Sequence, residues 1–156
     1  MFKKITVIGS GLMGSAIAAH FANAGCSVNL LDIVDKKFKN KNHIVDQAIK
    51  KLLKIKPNSF TLNSNVRLIN PGNLDENLNI INDSDWVIEA IIEDQKVKNI
   101  LYQKIDNIMK DDLIVSSNTS TIPIKLLTEG LSKKFKKNFF ITHFFNPPRY
   151  LKLLEI

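Results

Sequence analysis

Cysteine is nearly absent from this 156-residue sequence, in which Cys26 is the only one. A single cysteine cannot form a disulfide within the chain, so the disulfide-stapled class of small secreted proteins is excluded. A reducing, cytoplasmic environment fits this composition. The sequence also lacks any run of about 18 apolar residues, so no membrane-spanning helix is predicted. The apolar run in MFKKITVIGSG is too short for the core of a signal peptide.

Acidic residues are fewer than basic ones, with 15 Asp and Glu against 22 Lys and Arg, and the net charge is +7. Such a charge can attract polyanionic ligands. The lysines are nevertheless scattered through DKKFKNKNH, IKKLLKIK and SKKFKK, and no nucleic-acid-binding motif accompanies them. We therefore interpret them as a solvated surface and predict no nucleic-acid partner.

Short apolar runs alternate along the chain with segments of helical periodicity. We predict helices in LMGSAIAAHFANAG, residues 35–56, EDQKVKNILYQKIDNIMK and TIPIKLLTEGL. The predicted strands are KKITVIGSG, SVNLLD, residues 66–69, DWVIEAI, DLIVSSN and NFFITHFF, and YLKLLEI is a candidate last strand. Strands that alternate with helices predict one α/β domain, residues 1–156, with a doubly wound, mainly parallel sheet covered on both faces.

The stretch GSGLMG places Gly9, Gly11 and Gly14 in the spacing G-x-G-x-x-G. In this pattern the first glycine permits a tight turn, the second lets the backbone approach a pyrophosphate, and the third lets the helix pack close to the strand. The free N–H groups and positive dipole end of the following helix can then hold the anion. The motif alone is weak, and a glycine-rich turn that binds nothing is the alternative. Here it follows a predicted strand and opens a predicted helix, which favours a dinucleotide site.

A carboxylate ends the second predicted strand, because SVNLLD stops at Asp32, 23 residues after Gly9. A carboxylate at this point can accept hydrogen bonds from the adenosine ribose hydroxyls, and it repels a 2′-phosphate. The sequence therefore predicts NAD over NADP, although the nearby Lys36 and Lys37 weaken this preference. No residue is predicted to bind a metal.

Four segments, in this order, resemble the NAD-binding domain of L-3-hydroxyacyl-CoA dehydrogenases: VIGSGLMGSAIA, VIEAIIEDQKVK, SSNTSTI and THFFNPPRYLKLLEI. The last segment looks most like the multifunctional fatty-acid-oxidation proteins of bacteria. The resemblance runs from residue 3 to residue 156 and implies a Rossmann-like fold. It also implies oxidation of (S)-3-hydroxyacyl-CoA to 3-ketoacyl-CoA in fatty-acid β-oxidation, with hydride passing to NAD.

The resemblance implies a set of site residues as well. Those implied to bind the cofactor are Gly9, Gly11, Leu12, Met13 and Gly14 at the pyrophosphate, Asp32 at the adenosine ribose, Glu93 and Lys98 near the nicotinamide, and Ser120 and Asn146 beside the cofactor. Those implied for catalysis are His143 as the base, Glu155 as its orienting partner, and Ser120 as the contact of the substrate hydroxyl. No CoA-contacting residue is assigned, although Lys51 or Lys54 could meet a phosphate.

The implied chemistry is consistent with the order of these residues. Oxidation of a secondary alcohol requires the hydroxyl proton to leave, and a neutral histidine is a natural acceptor near pH 7. His143 follows a predicted strand, and ligands of open parallel sheets bind at the carboxyl ends of strands. If YLKLLEI runs antiparallel to NFFITHFF, the turn at Asn146 forms a hairpin that brings Glu155 to His143. Glu155 would then fix the tautomer of His143 and stabilise its imidazolium form.

Each of these residues also has a simpler interpretation. The alternatives are a core histidine for His143, a solvated charge for Glu155, a helix N-cap for Ser120, a surface ion pair for Glu93 and Lys98, and a turn residue for Asn146. Beside the dehydrogenase, the open functions are a non-catalytic NAD-binding module or partner subunit and an NAD-linked 3-hydroxy-acid dehydrogenase that does not use CoA. The segments SNTS and HFFNPP, together with Glu155, argue against the last of these.

The family's enzymes continue beyond the part that this sequence resembles. The resemblance implies a following helical domain that supplies dimer contacts, one wall of the acyl-CoA site and a further active-site asparagine. We therefore expect residues 1–156 to bind NAD but to have little activity alone, and to form a dimer or associate with such a helical domain. We also expect an exposed apolar edge where that domain would dock.

Overall fold

Six parallel strands form the main sheet of the structure, a computed structural model that describes residues 2–156. Their bounds are Lys4–Ile8 (β1), Ser27–Asp32 (β2), Ile69–Asn73 (β3), Trp86–Glu89 (β4), Ile114–Ser117 (β5) and Phe139–Ile141 (β6). Their order in space is β3-β2-β1-β4-β5-β6, with each neighbouring pair parallel. The order reverses between β1 and β4, so this is the switch point of a doubly wound sheet, as the alternating pattern predicted.

Helices cover the two faces of this sheet. Their bounds are Leu12–Asn23 (α1), His43–Leu52 (α2), Gln95–Ile108 (α3), Ile124–Leu127 (α4) and Lys133–Lys137 (α5), with 3₁₀ helices at Asn63–Leu68 and Leu78–Asp83. Among residues 2–156, none of these helices is long and apolar enough to cross a membrane.

Two apolar cores lie on opposite sides of the strands. Ile5 and Val7 of β1 pack with Ile17 of α1 in one core, whereas Ile8 packs with Leu101 of α3 in the other. Strands that are buried on both faces need near-continuous apolar runs, which explains why KITVI and its neighbours were recognisable as strands. The sheet is thereby fixed with its carboxyl edge free for a ligand.

The helix predicted at residues 35–56 is wrong in its extent, because α2 covers only His43–Leu52. The preceding residues form turns in which short polar side chains bond to nearby backbone. The Oδ1 atom of Asp35 accepts from the N–H of Lys37 at 3.0 Å, and Oδ1 of Asn40 accepts from the N–H of Asn42 at 3.0 Å. Such local hydrogen bonds compete with the helix.

The strand predicted at residues 66–69 is also wrong, because residues up to Leu68 belong to a 3₁₀ helix and the strand is Ile69–Asn73. The true strand has the sequence INPGN, which resembles a loop. It is an edge strand, paired with β2, and Pro71 lies opposite Leu30. An edge position tolerates a proline because the outer side of the strand needs no N–H donor.

The segment NFFITHFF forms two strands, where the sequence predicted one. The chain leaves the main sheet at Thr142, whose N–H still donates to the carbonyl of Ser117 at 2.9 Å. Beyond it, His143–Phe144 (β7) pairs antiparallel with Leu154–Glu155 (β8). The predicted antiparallel C-terminal hairpin is therefore confirmed, although only the end of YLKLLEI takes part.

Candidate active site

The glycine turn joins β1 to α1 at the switch point of the sheet. Gly9 has φ +99°, and a Cβ there would lie 2.6 Å from the carbonyl oxygen of Ala90 on the neighbouring segment. A Cβ on Gly14 would lie 1.8 Å from the carbonyl oxygen of Gly9. Side chains at these two positions are therefore incompatible with the turn, whereas a Cβ on Gly11 would meet nothing within 4 Å. Gly11 faces the open side of the turn, where a phosphate could approach.

The N-terminus of α1 offers backbone donors to that open side. Ser15 N–H donates to the carbonyl of Gly11 at 3.0 Å, so the amides of Leu12, Met13 and Gly14 precede the first hydrogen bond of the helix. The first turn contains no acidic residue. The side chain of Leu12 is exposed, and that of Met13 packs against the core that contains Ile17. These two residues therefore offer the turn their backbone amides. This end of α1 suits an anion such as a pyrophosphate.

Asp32 lies beside the turn, at the carboxyl end of β2. Its Oδ2 accepts from both the N–H and the hydroxyl of Ser10, each at 2.6 Å, and its Oδ1 accepts from the N–H of Ile33 at 2.7 Å. A carboxylate has about four acceptor positions, so one of them remains for a ribose hydroxyl. Sequence reasoning missed Ser10, although a hydroxyl in the middle of the glycine motif was a usable signal.

A cavity of about 360 Å³ extends from the glycine turn. Asp32 and Gly11 lie at its polar end, and Leu74, Leu78 and Val97 line its apolar part. A concave, mostly apolar site with a few polar groups suits the adenosine half of a dinucleotide. The turn, the helix end, Asp32 and this cavity together fit the predicted cofactor.

Ser120, His143 and Glu155 lie in one line of hydrogen bonds near the same edge of the sheet. The Nε2 atom of His143 is 3.0 Å from Oγ of Ser120, and its Nδ1 is 3.0 Å from Oε2 of Glu155. The hairpin register places His143 directly opposite Glu155. A cavity of about 210 Å³, lined by all three residues, opens beside them. Ser120 does not cap the following helix, because the N-cap of α4 is Pro123.

The segments that carry Ser120 and His143 are fastened to each other. The side-chain Oδ1 of Asn118 accepts from the N–H of Phe144 at 2.9 Å, next to His143. The hydroxyls of Ser116 and Thr142 are 2.8 Å apart and buried. Sequence reasoning missed Asn118, although it occupies the middle of SNTS.

Glu93 and Lys98 are not a surface pair, which corrects that alternative. Lys98 is 1% exposed, and its Nζ lies 2.6 Å from Oε1 of Glu89 and 3.3 Å from Oε2 of Glu93. Partial burial alone would raise the pKa of Glu93. Hydrogen bonding from Thr119, the charge of Lys98 and two backbone N–H groups outweigh the burial and lower this pKa to about 2. Glu93 is therefore a carboxylate at neutral pH.

Asn146 lies on a third and larger cavity, of about 730 Å³. Gly11, Asn146 and Lys51 are among its lining residues, so it joins the glycine turn to the turn of the C-terminal hairpin. Arg149, in the same hairpin connection as Asn146, donates from its Nη1 to the carbonyls of Asn58 at 2.6 Å and Phe60 at 2.7 Å. This cavity connects the cofactor side of the site with the surface of α2.

The fold and this site define a class of protein, a domain that binds a dinucleotide at the switch point of a doubly wound sheet. A sequence profile of the family described as 3-hydroxyacyl-CoA dehydrogenase, NAD binding domain, matches residues 4–156. The chain therefore belongs to this family, which confirms the predicted family, its Rossmann-like fold and NAD as the cofactor.

Individual relatives agree with this assignment. A Deinococcus radiodurans protein named "Probable 3-hydroxyacyl-CoA dehydrogenase" is 47% identical over 154 residues, which cover 99% of this chain and 44% of that protein. A Rickettsia felis protein, provisionally named a fatty acid oxidation complex trifunctional enzyme, is 49% identical over 154 residues, 99% of this chain and 21% of its own length. The crystal structure of a 3-hydroxyacyl-CoA dehydrogenase from Archaeoglobus fulgidus superposes with a TM-score of 0.76 at 26% identity, over 97% of this chain and 45% of that one. The chain thus spans less than half the length of each of these three.

Proposed function

We propose that this chain is the NAD-binding part of an enzyme that oxidises (S)-3-hydroxyacyl-CoA to 3-ketoacyl-CoA in fatty-acid oxidation. The observation that carries the proposal is the line Ser120–His143–Glu155, with both hydrogen-bond distances at 3.0 Å, near the same carboxyl edge as the glycine turn. The names of the relatives support the substrate class.

His143 is proposed as the base. Glu155 accepts the Nδ1–H of the ring. The lone pair of Nε2 is then free and points to the position beside the Ser120 hydroxyl. The substrate hydroxyl binds at this position and gives its proton to Nε2, and Glu155 stabilises the resulting imidazolium. NAD, when bound, supplies the hydride acceptor. Ser120 orients the substrate oxygen through its hydroxyl.

The remaining site residues hold the two ligands. Leu12 and Met13 contribute their backbone amides to the pyrophosphate, and Asp32 binds the adenosine ribose. Glu93 and Lys98 lie on the nicotinamide side, supported by the contacts of Glu93 with the segment that carries Ser120.

We place the acyl-CoA in the cavity of about 730 Å³ that links the glycine turn to the hairpin. Asn146 lines the end of this cavity beside the cofactor, and Lys51 of α2 also lines it and is available to a CoA phosphate.

A second candidate function is an NAD-binding module that catalyses nothing alone. The observation that favours it is an exposed apolar surface at the C-terminal hairpin, where Tyr150 is 46% exposed. Leu151, Leu153 and Ile156 are also exposed, with 88% exposure for Ile156. We propose that these apolar side chains pack against a further domain or a second copy, and that residues 1–156 alone reduce little acetoacetyl-CoA with NADH.

A chimaera separates the two candidates. Residues 1–156 replace the matched segment of the D. radiodurans relative, and NADH-dependent reduction of acetoacetyl-CoA is followed by absorbance. We expect activity within roughly tenfold of the unmodified relative, because the exchanged segments are 47% identical over 154 residues. A soluble, NAD-binding chimaera without activity would leave the non-catalytic module as the function.

NAD is expected to bind the 156-residue chain more tightly than NADP, by roughly tenfold or more, which corresponds to about 1.4 kcal/mol. The reason is that the Asp32 carboxylate repels a 2′-phosphate. Isothermal titration of both nucleotides measures the ratio of the two affinities, and Asp32→Ala should bring this ratio closer to one. Asp46→Ala, on α2, is the matched control and should leave it unchanged. Equal affinities in the wild-type chain would contradict the role of Asp32.

A further inference from the structure

A fully buried carboxylate, Glu89, ends β4 next to the switch point of the sheet. Its Oε1 accepts from Lys98 Nζ at 2.6 Å and from the N–H of Ile91 at 2.7 Å. Its Oε2 accepts from the hydroxyl of Ser117 at 2.5 Å and from that of Tyr102. Four donors, one after β4, two on α3 and one on β5, therefore hold this one side chain.

Lys98 connects Glu89 to a second carboxylate. Its ammonium lies between Oε1 of Glu89 and Oε2 of Glu93, at 2.6 and 3.3 Å, and is almost completely buried. Charges taken out of water lose their hydration, and a buried ion pair is often no more stabilising than apolar side chains of the same size. Stability alone therefore gives little reason for this arrangement.

Glu93 in turn orders the backbone around Ser120. Its Oε1 accepts from the N–H of Ser120 at 3.1 Å, from the N–H and hydroxyl of Thr121 at 3.2 Å each, and from the hydroxyl of Thr119. One carboxylate oxygen thus holds three consecutive residues. The hydroxyl of Ser120 is the group that meets Nε2 of His143 at 3.0 Å.

We propose that Glu89 is a positioning residue for the hydride-transfer site. It fixes Lys98, Lys98 fixes Glu93, and Glu93 holds Ser120 at the distance that its hydrogen bond to His143 requires. The inference rests on the proposed function in one respect, since it takes His143 to be the base.

Tyr102 belongs to this network as a permanent donor. It is fully buried, and burial together with the negative charge of Glu89 raises its pKa far above the ordinary value of a tyrosine. Its ring packs against Phe135 and Phe139, with centroids 5.6 and 5.2 Å away. Tyr102→Phe therefore removes one hydrogen bond to Glu89 and keeps the packing.

The alternative is that the network only stabilises the fold. The two possibilities differ at His143, because a fold-stabilising network has no reason to change the hydrogen bond at Nε2. The side-chain ¹⁵N shifts of His143 report which ring nitrogen carries a proton and which accepts a hydrogen bond. Affinity for ADP-ribose, which lacks the nicotinamide, reports separately that the glycine turn and Asp32 are intact.

The test uses the 156-residue chain labelled with ¹⁵N in histidine. Ser120→Ala sets the size of the change in the Nε2 shift when the hydroxyl is lost. Glu89→Gln is expected to give about half of that change or more, because a glutamine carries no charge for Lys98 and one end of its amide would face another donor. Glu76→Gln is the matched control, at an exposed glutamate that pairs with Lys41, and should give no change.

Each outcome decides the proposal. ADP-ribose affinity within about twofold of wild type, together with a shifted His143 spectrum in Glu89→Gln, supports it. An unchanged His143 spectrum in a folded Glu89→Gln variant overturns it. If Glu89→Gln does not fold, Tyr102→Phe takes its place, with a smaller shift in the same direction expected and no shift counting against the proposal. None of these measurements needs turnover. An inactive chimaera would therefore contradict the proposed function but would leave the His143 spectra, and the conclusion about Glu89, unchanged.

Discussion

His143→Ala is expected to lower the turnover of the chimaera by roughly 10²–10⁴-fold and to leave its NAD affinity within about twofold of the unsubstituted chimaera. The substitution removes the proposed proton acceptor. The glycine turn and Asp32, which are proposed to bind the other half of the cofactor, share no hydrogen bond with the His143 ring, whose hydrogen-bond partners are Ser120 and Glu155. Steady-state reduction of acetoacetyl-CoA and isothermal titration of NAD measure the two quantities.

Glu155→Gln keeps the proposed base, His143, but changes the side chain that orients it. A glutamine can still meet Nδ1, but it cannot offer a charge to the imidazolium, so we expect a smaller loss, of roughly 10–100-fold. Glu129→Gln, at another exposed glutamate, is the matched control and should retain full turnover. Unchanged turnover in His143→Ala would remove His143 from the mechanism.

Gly14→Ala is expected to destabilise the fold, whereas Gly11→Ala is expected mainly to weaken NAD binding. A Cβ on Gly14 would lie 1.8 Å from the carbonyl oxygen of Gly9, so backbone must move, and we expect the free energy of unfolding to fall by about 2–4 kcal/mol. A Cβ on Gly11 meets nothing within 4 Å, so Gly11→Ala should lower this free energy by only about 1 kcal/mol or less. It should nevertheless weaken NAD binding by roughly tenfold or more, because the new methyl group would occupy the open side of the turn, where the pyrophosphate is proposed to bind.

Urea unfolding of the two variants measures the free energy of unfolding, and NAD titration measures the affinity for the cofactor. A Gly11→Ala chain that binds NAD as tightly as wild type would show that the phosphates lie elsewhere. A Gly14→Ala chain of wild-type stability would show that the turn can relax without cost.

The strand–turn–helix at the start of the chain could be predicted because its signals are local. The apolar run of β1, the glycine spacing and the helical periodicity of α1 all occur within 23 residues, and together they favour a strand–turn–helix unit. The pairing of β7 with β8 was predictable for a similar reason, since both strands and the connection at residues 145–153 lie within one short segment of the chain.

The setting of Lys98 could not be predicted in the same way. A lysine on a helix is ordinarily solvated, and the closeness of Glu89 and Glu93 to Lys98 in the sequence does not by itself predict that the three groups are brought together in the interior. Glu89 ends β4 and Glu93 precedes α3, and burial of the ammonium between them appears only when strand and helix pack. The resemblance therefore implied Lys98 as a site residue, but nothing in the sequence indicated its buried partner Glu89.

The β3 strand shows a different limit of sequence reasoning. Pro71 and Gly72 are turn residues by composition, and only the position of β3 at the edge of the sheet makes INPGN acceptable as a strand. The edge position depends on the order of all six strands. A local reading of the sequence cannot supply it.

Arg149 links the C-terminal hairpin by hydrogen bonds to the loop that contains Asn58 and Phe60. The ladder between β7 and β8 contains only two residue pairs, and the Arg149 guanidinium adds hydrogen bonds from the hairpin to the carbonyls of Asn58 and Phe60. Whatever displaces that loop also pulls on the hairpin. Pro57 and Ser59 of that loop line the large cavity, so we expect a molecule bound there to influence the hydrogen bond between His143 and Glu155.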